Sequence, residues 1–370
     1  MKIPIISLFT GGGLFDIGFE TVGYRVFWTN EVYPAFADMY EHGVSAWRKA
    51  DTRTKGDVHI SCRKSITEIS AQGIVEQAFG SNLPEVFGVI GGPPCPDFSV
   101  GGLNGGGLGK TGRLSKEFVR KVAQIQPTFF VMENVPGLIR TSKHFEYFKS
   151  LFDPIQKRHG YLMDYRVLNA LEYGVAQSRE RVFVFGVRRA CLDQDYLRSL
   201  GKRQQGWFTW PEAPYKGACE LPWPRIDKYG ETPSLPDGIP LELTISPLVG
   251  EKDDPEGLPN GLDFFNPHSK KFWERNEGDV YAKSFKRLHR YRYSPTAWYG
   301  NNEVHLHPWK PRRISVREAL RIQSVPDSYI LPDDIALSLK FKLVCNGVPC
   351  RLSEHLARAV KRFILKHCKC

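Results

Sequence analysis

The 370-residue chain predicts an α/β fold built on a mainly parallel sheet, with a second, smaller domain of irregular structure. Up to about residue 188, short apolar segments alternate with stretches of helical periodicity, which is typical of βαβ units. Between about 190 and 310, prolines, glycines, aromatic residues and charges mix without clear periodicity. We therefore predict a main domain over 1–189 plus 343–370 and an inserted domain over 190–342.

The apolar segments of the main domain predict six strands, because each is a short run bounded by turn residues. The predicted strands are Ile3–Phe9, Arg25–Asn30, Phe87–Gly91, Thr128–Glu133, Tyr165–Asn169 and Arg181–Val187. The first run contains a proline and leads directly into glycines. It therefore predicts a strand rather than a secretory signal.

Helical spacing predicts helices between these strands, over Phe15–Thr21, Pro34–His42, Ser115–Ile125 and Lys143–His159. Further along the chain, Ser315 is expected to cap a helix that ends at Gln323. Glu318, at the third position of that helix, completes a capping box. A last helix is predicted after Ser353.

The composition favours a polyanionic partner. The chain carries 51 basic and 40 acidic residues, a net charge of +11, and its pI is about 9.2. A positive surface attracts phosphates, and binding releases their counterions. Eight cysteines are scattered without CxxC pairs, which argues against a disulfide framework and a zinc site. No segment is long enough to span a bilayer. We expect a cytoplasmic protein without a metal or a membrane partner.

A glycine-rich turn, Phe9-Thr10-Gly11-Gly12-Gly13-Leu14, follows the first predicted strand. Glycines let the backbone approach a ligand closely and aim the next helix at it. Glu31 follows the second strand, where a carboxylate can accept hydrogen bonds from ribose hydroxyls. The spacing departs from the dinucleotide pattern G-x-G-x-x-G, because Asp16 replaces the third glycine. The turn and the acid together predict a nucleoside-type cofactor without a pyrophosphate.

A second glycine-rich stretch, Gly105–Thr111, resembles a phosphate-binding P-loop in composition. A P-loop needs a glycine five positions before its Gly-Lys pair, and Asn104 stands there instead. No predicted strand precedes the stretch either. We therefore exclude an ATPase and interpret residues 101–113 as a loop that closes over a bound substrate.

Two reactive side chains lie at the carboxyl ends of neighbouring predicted strands, the edge where open α/β sheets bind ligands. Cys95 follows the third strand within Gly91-Gly92-Pro93-Pro94-Cys95-Pro96, and Glu133 ends the fourth. A thiol and a carboxyl group placed there can attack a ring and protonate it. A free thiol has a pKa near ~8.5, so the site must promote thiolate formation. Arg179 and Arg181 alternate on a strand and can supply positive charge there.

Several motifs occur in the order seen in the DNA cytosine-5 methyltransferases, and the chain resembles the bacterial restriction–modification members of that family. The motifs are Phe-x-Gly-x-Gly, Pro-Pro-Cys, Glu-Asn-Val, Gln177-Ser178-Arg179-Glu180-Arg181, Arg313–Gln323 and Asn346-Gly347-Val348-Pro349. They span both ends of the chain and leave only the middle region unmatched. The resemblance implies a Rossmann-like S-adenosylmethionine-dependent methyltransferase sheet in the main domain and a target-recognition domain over 190–342.

The resemblance also implies roles for the site residues. Cys95 would add to carbon 6 of cytosine, and Glu133 would bond the ring at N3 and the amino group. The enamine so formed would take the methyl group of S-adenosyl-L-methionine at carbon 5. Arg179 and Arg181 belong to the same catalytic set. The residues implied around the methyl donor are Phe9, Gly11, Gly13, Glu31, Ile66, Pro94, Leu114, Asn346 and Val348, with Ile66 near its adenine.

Three parts of the chain depart from the family pattern. Ser65 stands where the family has an aspartate that bonds the adenine amino group, and Asp57 is a candidate substitute. Pro96 replaces the usual glutamine after the cysteine. In the C-terminal motif, Cys345, Gly347 and Cys350 stand where glycine, alanine and proline are usual. Neither the nucleophile nor the acid is replaced, so we expect activity to survive.

A base inside a duplex is out of reach, so the resemblance implies that the cytosine is flipped out of the helix. Ser99, before the glycine-rich loop, is a candidate to fill the gap that the base leaves. The stretch Phe285–Tyr293 interleaves basic and aromatic residues. Its three arginines and a residue of the main domain are candidate DNA contacts, namely Arg287, Arg290, Arg292 and Gln177.

The sequence therefore predicts a DNA (cytosine-5-)-methyltransferase that acts as a monomer on a specific double-stranded DNA sequence, beside a cognate restriction endonuclease. Two alternatives stay open. One is a tRNA cytosine-5 methyltransferase with similar motifs, against which the sizeable, loop-rich middle region argues. The other is a catalytically inactive relative that binds DNA or a second subunit, against which the full set of expected reactive residues argues.

Overall fold

The computed structural model describes residues 2–51, 58–94, 112–201, 205–250, 253–299 and 303–369. At its centre lies a six-stranded sheet with the strand order β2-β1-β3-β4-β6-β5. The strands are β1 (Ile3–Leu8), β2 (Tyr24–Asn30), β3 (Gly88–Gly91), β4 (Phe129–Asn134), β5 (Tyr161–Asn169) and β6 (Glu180–Arg188). Strands β1 to β4 run parallel, whereas β6 is antiparallel to both of its neighbours. The predicted mainly parallel sheet is confirmed.

The central strands are buried on both faces. Every residue of β3 and of β4 is buried, which is why these strands are near-continuous apolar runs in the sequence. The edge strand β5 begins at Tyr161, four residues before the predicted start, because Leu162 and Met163 also pair with β6. Asp164 interrupts the apolar run there. Its carboxylate is nevertheless buried and accepts a hydrogen bond from the Phe208 backbone N–H at 3.1 Å.

The described residues form eleven α-helices, several of them short. They are α1 (Leu14–Thr21), α2 (Pro34–Ala50), α3 (Ala71–Phe79), α4 (Gly112–Ile125), α5 (Gly137–Arg140), α6 (Ser142–His159), α7 (Gln194–Leu200), α8 (Lys271–Glu274), α9 (Val316–Ile322), α10 (Leu337–Asn346) and α11 (Cys350–His367). None of these helices is long and apolar enough to cross a membrane.

Different helices cover the two faces of the sheet. On one face, Phe19 of α1 belongs to the same apolar cluster as Leu356 of α11. On the other face, Ile74 of α3 and Phe118 of α4 share a cluster with Phe130 of β4 and with residues of α6. The sheet is therefore the middle of three layers, and its two rows of alternating side chains supply two separate cores.

The two predicted C-terminal helices are both present. Ser315 caps α9 as predicted, since its hydroxyl accepts from the Glu318 backbone N–H and the Glu318 carboxylate accepts from the Ser315 backbone N–H. The last helix, α11, begins at Cys350, earlier than predicted. Ser353 lies inside α11, and its hydroxyl donates to the Phe15 carbonyl oxygen at 2.7 Å. Ser353 thus fastens α11 to α1 instead of opening a helix.

The middle of the chain has little regular structure, as its sequence predicts. Between α7 and α9 the described residues form short 3₁₀ turns and the one-turn helix α8. Packing crosses both predicted domain boundaries. The rings of Trp207 and Phe208 contact those of Phe185 in β6 and Phe363 in α11. A boundary at residue 343 falls inside α10. The division into two domains stays a prediction.

Candidate active site

The ends of four parallel strands place most of the predicted site residues at one edge of the sheet. The turn from Phe9 to Gly13 follows β1, and Glu31 follows β2. Gly92, Pro93 and Pro94 follow β3, and Glu133 is the second-last residue of β4. Because β1 to β4 are parallel, these segments share the carboxyl edge, where open α/β sheets bind ligands. The predicted nucleophile Cys95 and the predicted gap-filling residue Ser99 lie outside the described residues.

The turn after β1 is built for close approach of a ligand. Gly11 and Gly13 adopt φ angles of +56° and +79°, and Phe9 adopts +55°. Gly13 is the N-cap of α1. A Cβ atom built at Gly11 would meet no described atom within 4 Å, so open space lies beside this backbone. The left-handed conformation therefore favours glycine at Gly11, and the missing side chain leaves room next to the helix N-terminus.

Glu31 is held in a defined position beside this turn. Its Oε2 accepts from the Gly11 backbone N–H at 2.9 Å, and its Oε1 accepts from the Tyr33 backbone N–H at 2.8 Å. Burial raises the pKa of this carboxyl group, and the hydrogen bonds from Tyr33 and Gly11 oppose that rise. Carboxylate oxygens have further lone pairs, so a held Glu31 can accept hydrogen bonds from ribose hydroxyls.

Asn30 brings the loop that carries Ile66 to the same place. Its side-chain amide donates to the carbonyl oxygens of Cys62 and Lys64, each at 2.9 Å. Ile66 is buried in the cluster that also contains Leu8 of β1. Sequence reasoning assigned no role to Asn30, although an amide at the end of a strand is a usual signal of loop anchoring.

The other residues predicted around the methyl donor differ in exposure. Val348 is buried, Leu114 is half-buried near the start of α4, and Pro94 and Asn346 are exposed. Ser65, which replaces the family's aspartate, bonds locally to the Thr67 hydroxyl at 2.8 Å. Asp57, the candidate substitute, lies outside the described residues. The open backbone at Gly11 and the held carboxylate of Glu31 fit a nucleoside cofactor.

Glu133 is a buried acid with one cationic partner. Its side chain lies at the carboxyl end of β4, and its Oε1 is 3.0 Å from the Nε of Arg181. Burial raises the pKa of Glu133, while the positive charges of Arg181 and Arg179 act in the opposite direction. A Cβ atom at Gly92 would lie 2.8 Å from Glu133 Oε2, so glycine leaves the space that the carboxyl group uses.

Asn134 ties the ends of β3 and β4 together. Its amide donates to the Pro93 carbonyl oxygen at 3.3 Å, and its side-chain oxygen accepts from the Val135 backbone N–H at 2.8 Å. The residues that lead to Cys95 are thus attached to the strand that carries Glu133. The motif Glu-Asn-Val contained this residue, but its role depends on a contact 41 positions away that spacing alone cannot show.

Arg179 points to the C-terminal motif. Its Nη2 donates to the carbonyl oxygens of Cys345 and Gly347 at 2.8 and 3.0 Å. Burial, followed by the nearby charge of Arg181, lowers the pKa of Arg179 to about 9. Its Nε and Nη1 have no acceptor within the described part of the chain. Arg179 and Arg181 therefore link the predicted acid to the segment predicted to contact the methyl donor.

Three of the predicted DNA contacts are corrected by the structure. Gln177 is fully buried, and its side-chain oxygen accepts from the Ala297 backbone N–H at 3.4 Å. Arg287 is fully buried and donates to backbone carbonyl oxygens, including that of Arg275 at 2.8 Å. Arg290 is buried, and its Nε and Nη2 donate to the two carboxylate oxygens of Glu277 at 2.8 and 2.9 Å. These side chains cannot reach a phosphate, because their polar groups face the protein interior.

Arg292 is the member of that arginine set with accessible surface. It is half-buried and donates to the Pro224 carbonyl oxygen at 3.1 Å. Its guanidinium carbon lies 5.3 Å from the centre of the Tyr293 ring. Of the three arginines, Arg292 is therefore the one that remains a proposed DNA contact.

Comparisons with known proteins place the chain in a family. Residues 3–212 and 257–362 match the family of C-5 cytosine-specific DNA methylases. The chain is 39% identical over 372 residues to the Type II methyltransferase M.NmeDI of Neisseria meningitidis serogroup C, covering 99% of this chain and 85% of that protein. It is 28% identical over 377 residues to the Type II methyltransferase M.MthTI of Methanothermobacter thermautotrophicus, with 98% of each covered.

Solved structures share the fold. A protein described as a DNA modification methyltransferase encoded within an E. coli prophage superposes with a TM-score of 0.64 at 22% identity, covering 98% of this chain and all of that one. A variant of Spodoptera frugiperda DNMT2 superposes with a TM-score of 0.59 at 15% identity, covering 97% of this chain and all of that one. At these identities the likeness shows the fold alone.

Fold and matches together define an S-adenosyl-L-methionine-dependent methyltransferase. The chain belongs to the C-5 cytosine-specific DNA methylase family and is a DNA (cytosine-5-)-methyltransferase of the Type II restriction–modification kind. The predicted enzyme class, methyl donor and DNA substrate are therefore confirmed.

Proposed function

We propose that this enzyme methylates carbon 5 of a flipped-out cytosine in a specific duplex DNA sequence, through a covalent bond to Cys95. The observation that carries the proposal is the buried carboxyl group of Glu133, held by Arg181 at 3.0 Å and tied through Asn134 to the segment before Cys95. A ring placed at this edge of the sheet would have an acid on one side and the thiol-bearing segment on the other.

The first step makes carbon 5 nucleophilic. The Cys95 thiolate forms a bond from its sulfur to carbon 6 of the ring, the C5=C6 pair becomes a C4=C5 bond, and the C4=N3 pair moves to N3. Protonated Glu133 gives its proton to N3, so no negative charge accumulates on the ring. Burial raises the pKa of Glu133 and thereby favours the protonated form that this step needs.

The second step forms the product. Bound S-adenosyl-L-methionine supplies an electrophilic methyl group, held on a sulfonium centre. Carbon 5 uses the C4=C5 pair to bond this methyl group, and the N3 lone pair restores the C4=N3 bond. The bond from the methyl carbon to the sulfonium sulfur breaks, and its electron pair stays on sulfur in the departing thioether, S-adenosyl-L-homocysteine. A base then takes the carbon 5 proton, the pair left behind restores the C5=C6 bond, and the C6–S bond breaks. Cys95 leaves as a thiolate, and N3 returns its proton to Glu133.

The residues around the turn after β1 would hold the methyl donor. Glu31 would accept hydrogen bonds from the ribose hydroxyls, and Gly11 would allow the methyl donor to lie against the backbone. Ile66 would lie beside the adenine, and Asn346 and Val348 would lie near the methionine part of the molecule. Their task is to orient the donor toward the ring, since a methyl transfer requires alignment with the attacking carbon.

The DNA-facing roles complete the proposal. Ser99 would fill the gap left by the flipped cytosine, and Arg292 would contact the DNA backbone. The enzyme would act as a monomer and protect host DNA from a cognate endonuclease of the same specificity. Arg179 would hold the C-terminal motif in place through the Cys345 and Gly347 carbonyl oxygens.

Trapping on modified DNA tests the covalent step. Duplex DNA in which every cytosine is replaced by 5-fluorocytosine is incubated with the protein and S-adenosyl-L-methionine. Because fluorine cannot leave as a proton does, the adduct should persist and shift the protein on a denaturing gel. Cys95→Ser should form no adduct, whereas Cys219→Ser, which changes an exposed thiol, should form it normally.

Two outcomes would contradict the proposal. One is the absence of an adduct with a wild-type protein that methylates ordinary DNA, which would exclude the covalent mechanism. The other is methyl transfer to tRNA but not to duplex DNA, which would exclude the proposed substrate.

A further inference from the structure

Trp298 is a large apolar side chain left in solvent beside the proposed active site. Its side chain is 55% exposed, whereas Ala297 and Tyr299 on either side are 3% and 4% exposed. This alternation is that of an extended segment with one face inward and one face outward. An exposed indole keeps apolar surface that a partner can cover, and its position beside the proposed active site makes it a candidate contact for the bound substrate.

The segment that carries Trp298 is fastened to the strand of catalytic arginines. Ser294 forms a parallel bridge with Gln177, and the Ser178 backbone N–H donates to the Ser294 carbonyl oxygen at 3.0 Å. The Thr296 hydroxyl donates to the Ser178 carbonyl oxygen at 2.6 Å. Thr296 and Trp298 lie two positions apart and share the outward face. Trp298 therefore projects next to the start of β6, which also carries Arg181.

Both neighbours of Trp298 are held at the site. On one side, the Ala297 backbone N–H is 3.4 Å from the Gln177 side-chain oxygen. On the other side, burial raises the pKa of the Cys345 thiol, and the adjacent Tyr299 backbone opposes that rise. The Cys345 carbonyl oxygen in turn accepts from Arg179 at 2.8 Å. The backbone of Trp298 is thus fixed from two directions, and its indole ring is presented from a rigid support.

Charge favours DNA as the partner of this ring. Lys342 is exposed, one helical turn before Cys345, and its charge acts on the same thiol. Arg181, whose Nε is paired with Glu133 at 3.0 Å, lies at the start of the adjacent strand β6. A flat aromatic ring with cations nearby is the combination that binds unstacked bases and the phosphates beside them. A hydrophobic protein partner would not need the cations.

We propose that Trp298 stacks on a base of the bound DNA next to the flipped cytosine and so stabilises the opened duplex. The inference rests on the proposed function, since it assumes that the enzyme opens DNA at this edge of the sheet. Trp298 is then a positioning residue that acts on the DNA, and methyl-donor binding should not depend on it.

The test compares variants of Trp298 with a matched control. Trp298→Phe keeps an aromatic face, Trp298→Leu keeps apolar bulk without one, and Trp298→Ala keeps neither. Trp273→Ala removes another exposed tryptophan, 61% exposed on α8. The probe is a duplex oligonucleotide that carries the sequence methylated by the wild type, with 2-aminopurine at the target position. This probe reports DNA affinity and 2-aminopurine fluorescence. An unmodified duplex of the same sequence gives kcat and KM for DNA, and titration gives the Kd of the methyl donor.

Trp298→Ala and Trp298→Leu should bind this DNA about 5- to 100-fold more weakly and show less 2-aminopurine fluorescence, because one base–aromatic stack is lost. Trp298→Phe should remain within about threefold of the wild type, and all variants should keep the donor Kd. DNA affinity in Trp298→Leu equal to that of Trp273→Ala would overturn the inference. So would a change in oligomeric state with unchanged DNA affinity, which would assign the ring to contact between copies.

If Trp298→Ala does not fold, the Phe and Leu pair still decides the question. A wild type that methylates no DNA would contradict the proposed function itself, whatever the variants do. Wild-type methylation together with unaffected Trp298 variants would contradict only the stacking role.

Discussion

At the scale of single residues, the site depends on how Glu133 is surrounded. The carboxyl group is buried, which favours its neutral form, and it is held by one arginine, which favours its charged form. A buried acid whose pKa is raised, and which an arginine still holds in place, can give a proton to a ring nitrogen and recover it. Gly92 leaves space for the carboxyl oxygen that Arg181 does not hold.

Glu133→Gln should reduce kcat by about 10²- to 10⁴-fold, the usual contribution of a positioned acid. The amide keeps the shape of the side chain and can still accept from Arg181, so the Kd values for DNA and for the methyl donor should change little. Single-turnover methylation gives kcat, and equilibrium titration gives the Kd values. Glu180→Gln is the matched control, because Glu180 is exposed at the start of the neighbouring strand β6 and pairs with the exposed Arg140 at 3.3 Å. Equal activity in the two variants would contradict the acid role.

The wild type should also lose activity as pH rises through the pKa of Glu133. Its protonated form is the proposed proton donor, and burial moves that loss of activity to higher pH than an ordinary carboxyl group would show. The pH dependence of single-turnover methylation should contain this decrease in the wild type and lack it in Glu133→Gln. The same decrease in both proteins would assign it to another group.

At the scale of elements, two glycines in the turn between β1 and α1 have different roles, one in ligand binding and the other in stability. Gly11 and Gly13 both have positive φ, but they face different surroundings. Beside Gly11 lies open space, whereas a Cβ atom at Gly13 would lie 2.6 Å from the Tyr40 ring. One glycine thus serves the approach of a ligand, and the other serves the packing of α1 against α2.

Gly11→Ala should weaken methyl-donor binding more than it lowers stability, because the added methyl group enters the open space where the donor would lie. Its backbone strain costs about 1–2 kcal/mol. Gly13→Ala carries the same strain and also displaces Tyr40, so it should lower stability more. Isothermal titration with S-adenosyl-L-methionine and urea unfolding measure the two effects. If Gly11→Ala and Gly13→Ala are equally stable and lose the same affinity for the methyl donor, the two glycines do not have these separate roles.

Asp16 makes the stability of α1 depend on pH. Burial raises the pKa of its carboxyl group to about 7, although hydrogen bonds from Ser7 and Tyr40 oppose the rise. Its pKa in the unfolded chain is about 3.9. The folded state therefore binds the proton more tightly, and the stabilising contribution is full below the unfolded pKa. It is lost as pH rises through about 7.

Asp16→Asn should therefore stabilise the protein relative to the wild type above neutral pH, by at most about 4 kcal/mol. The advantage should shrink toward about pH 5, where wild-type Asp16 is already protonated in the folded state. Urea unfolding at about pH 5 and about pH 8 measures the difference. Asp38→Asn, at an exposed position of α2, is the control. A pH-independent difference between Asp16→Asn and the wild type would contradict the assignment.

At the scale of the whole molecule, buried arginines hold the middle region together. Arg287 donates to backbone carbonyl oxygens on both sides of its own segment, including those of Phe272, Arg275, His307 and Lys310. Burial lowers its pKa to about 10. Its guanidinium thus substitutes for the ladder hydrogen bonds that this region, with few regular elements, cannot make.

Arg287→Met should lower the melting temperature and leave the salt dependence of DNA binding unchanged. Each carbonyl oxygen left without a donor costs about 1–3 kcal/mol. Arg292→Met is the informative comparison, because loss of one phosphate contact should reduce the slope of log Kd against log salt by about 1. If Arg287→Met instead melts at the wild-type temperature and reduces the slope of log Kd against log salt, Arg287 would be a DNA contact after all.

The sheet was predictable because its central strands are buried on both faces, so apolar runs such as Phe129–Met132 identify them directly. Glu31 and Glu133 could be placed at the carboxyl edge of the sheet from their positions at the ends of strands, and their roles stay predictions. The middle region could not be predicted in this way. A run of alternating arginines and aromatics has the same pattern whether it is exposed or buried, and the acceptors of Arg287 lie up to 23 residues away in the chain.

Sequencing of 5-methylcytosine in the DNA of bacteria that express this chain tests the central claim most directly. Wild type should produce 5-methylcytosine in one sequence context and nowhere else, whereas folded Cys95→Ser should produce none. Wild-type protein that is folded and leaves host DNA without 5-methylcytosine would contradict the claim, as would equal methylation by Cys95→Ser.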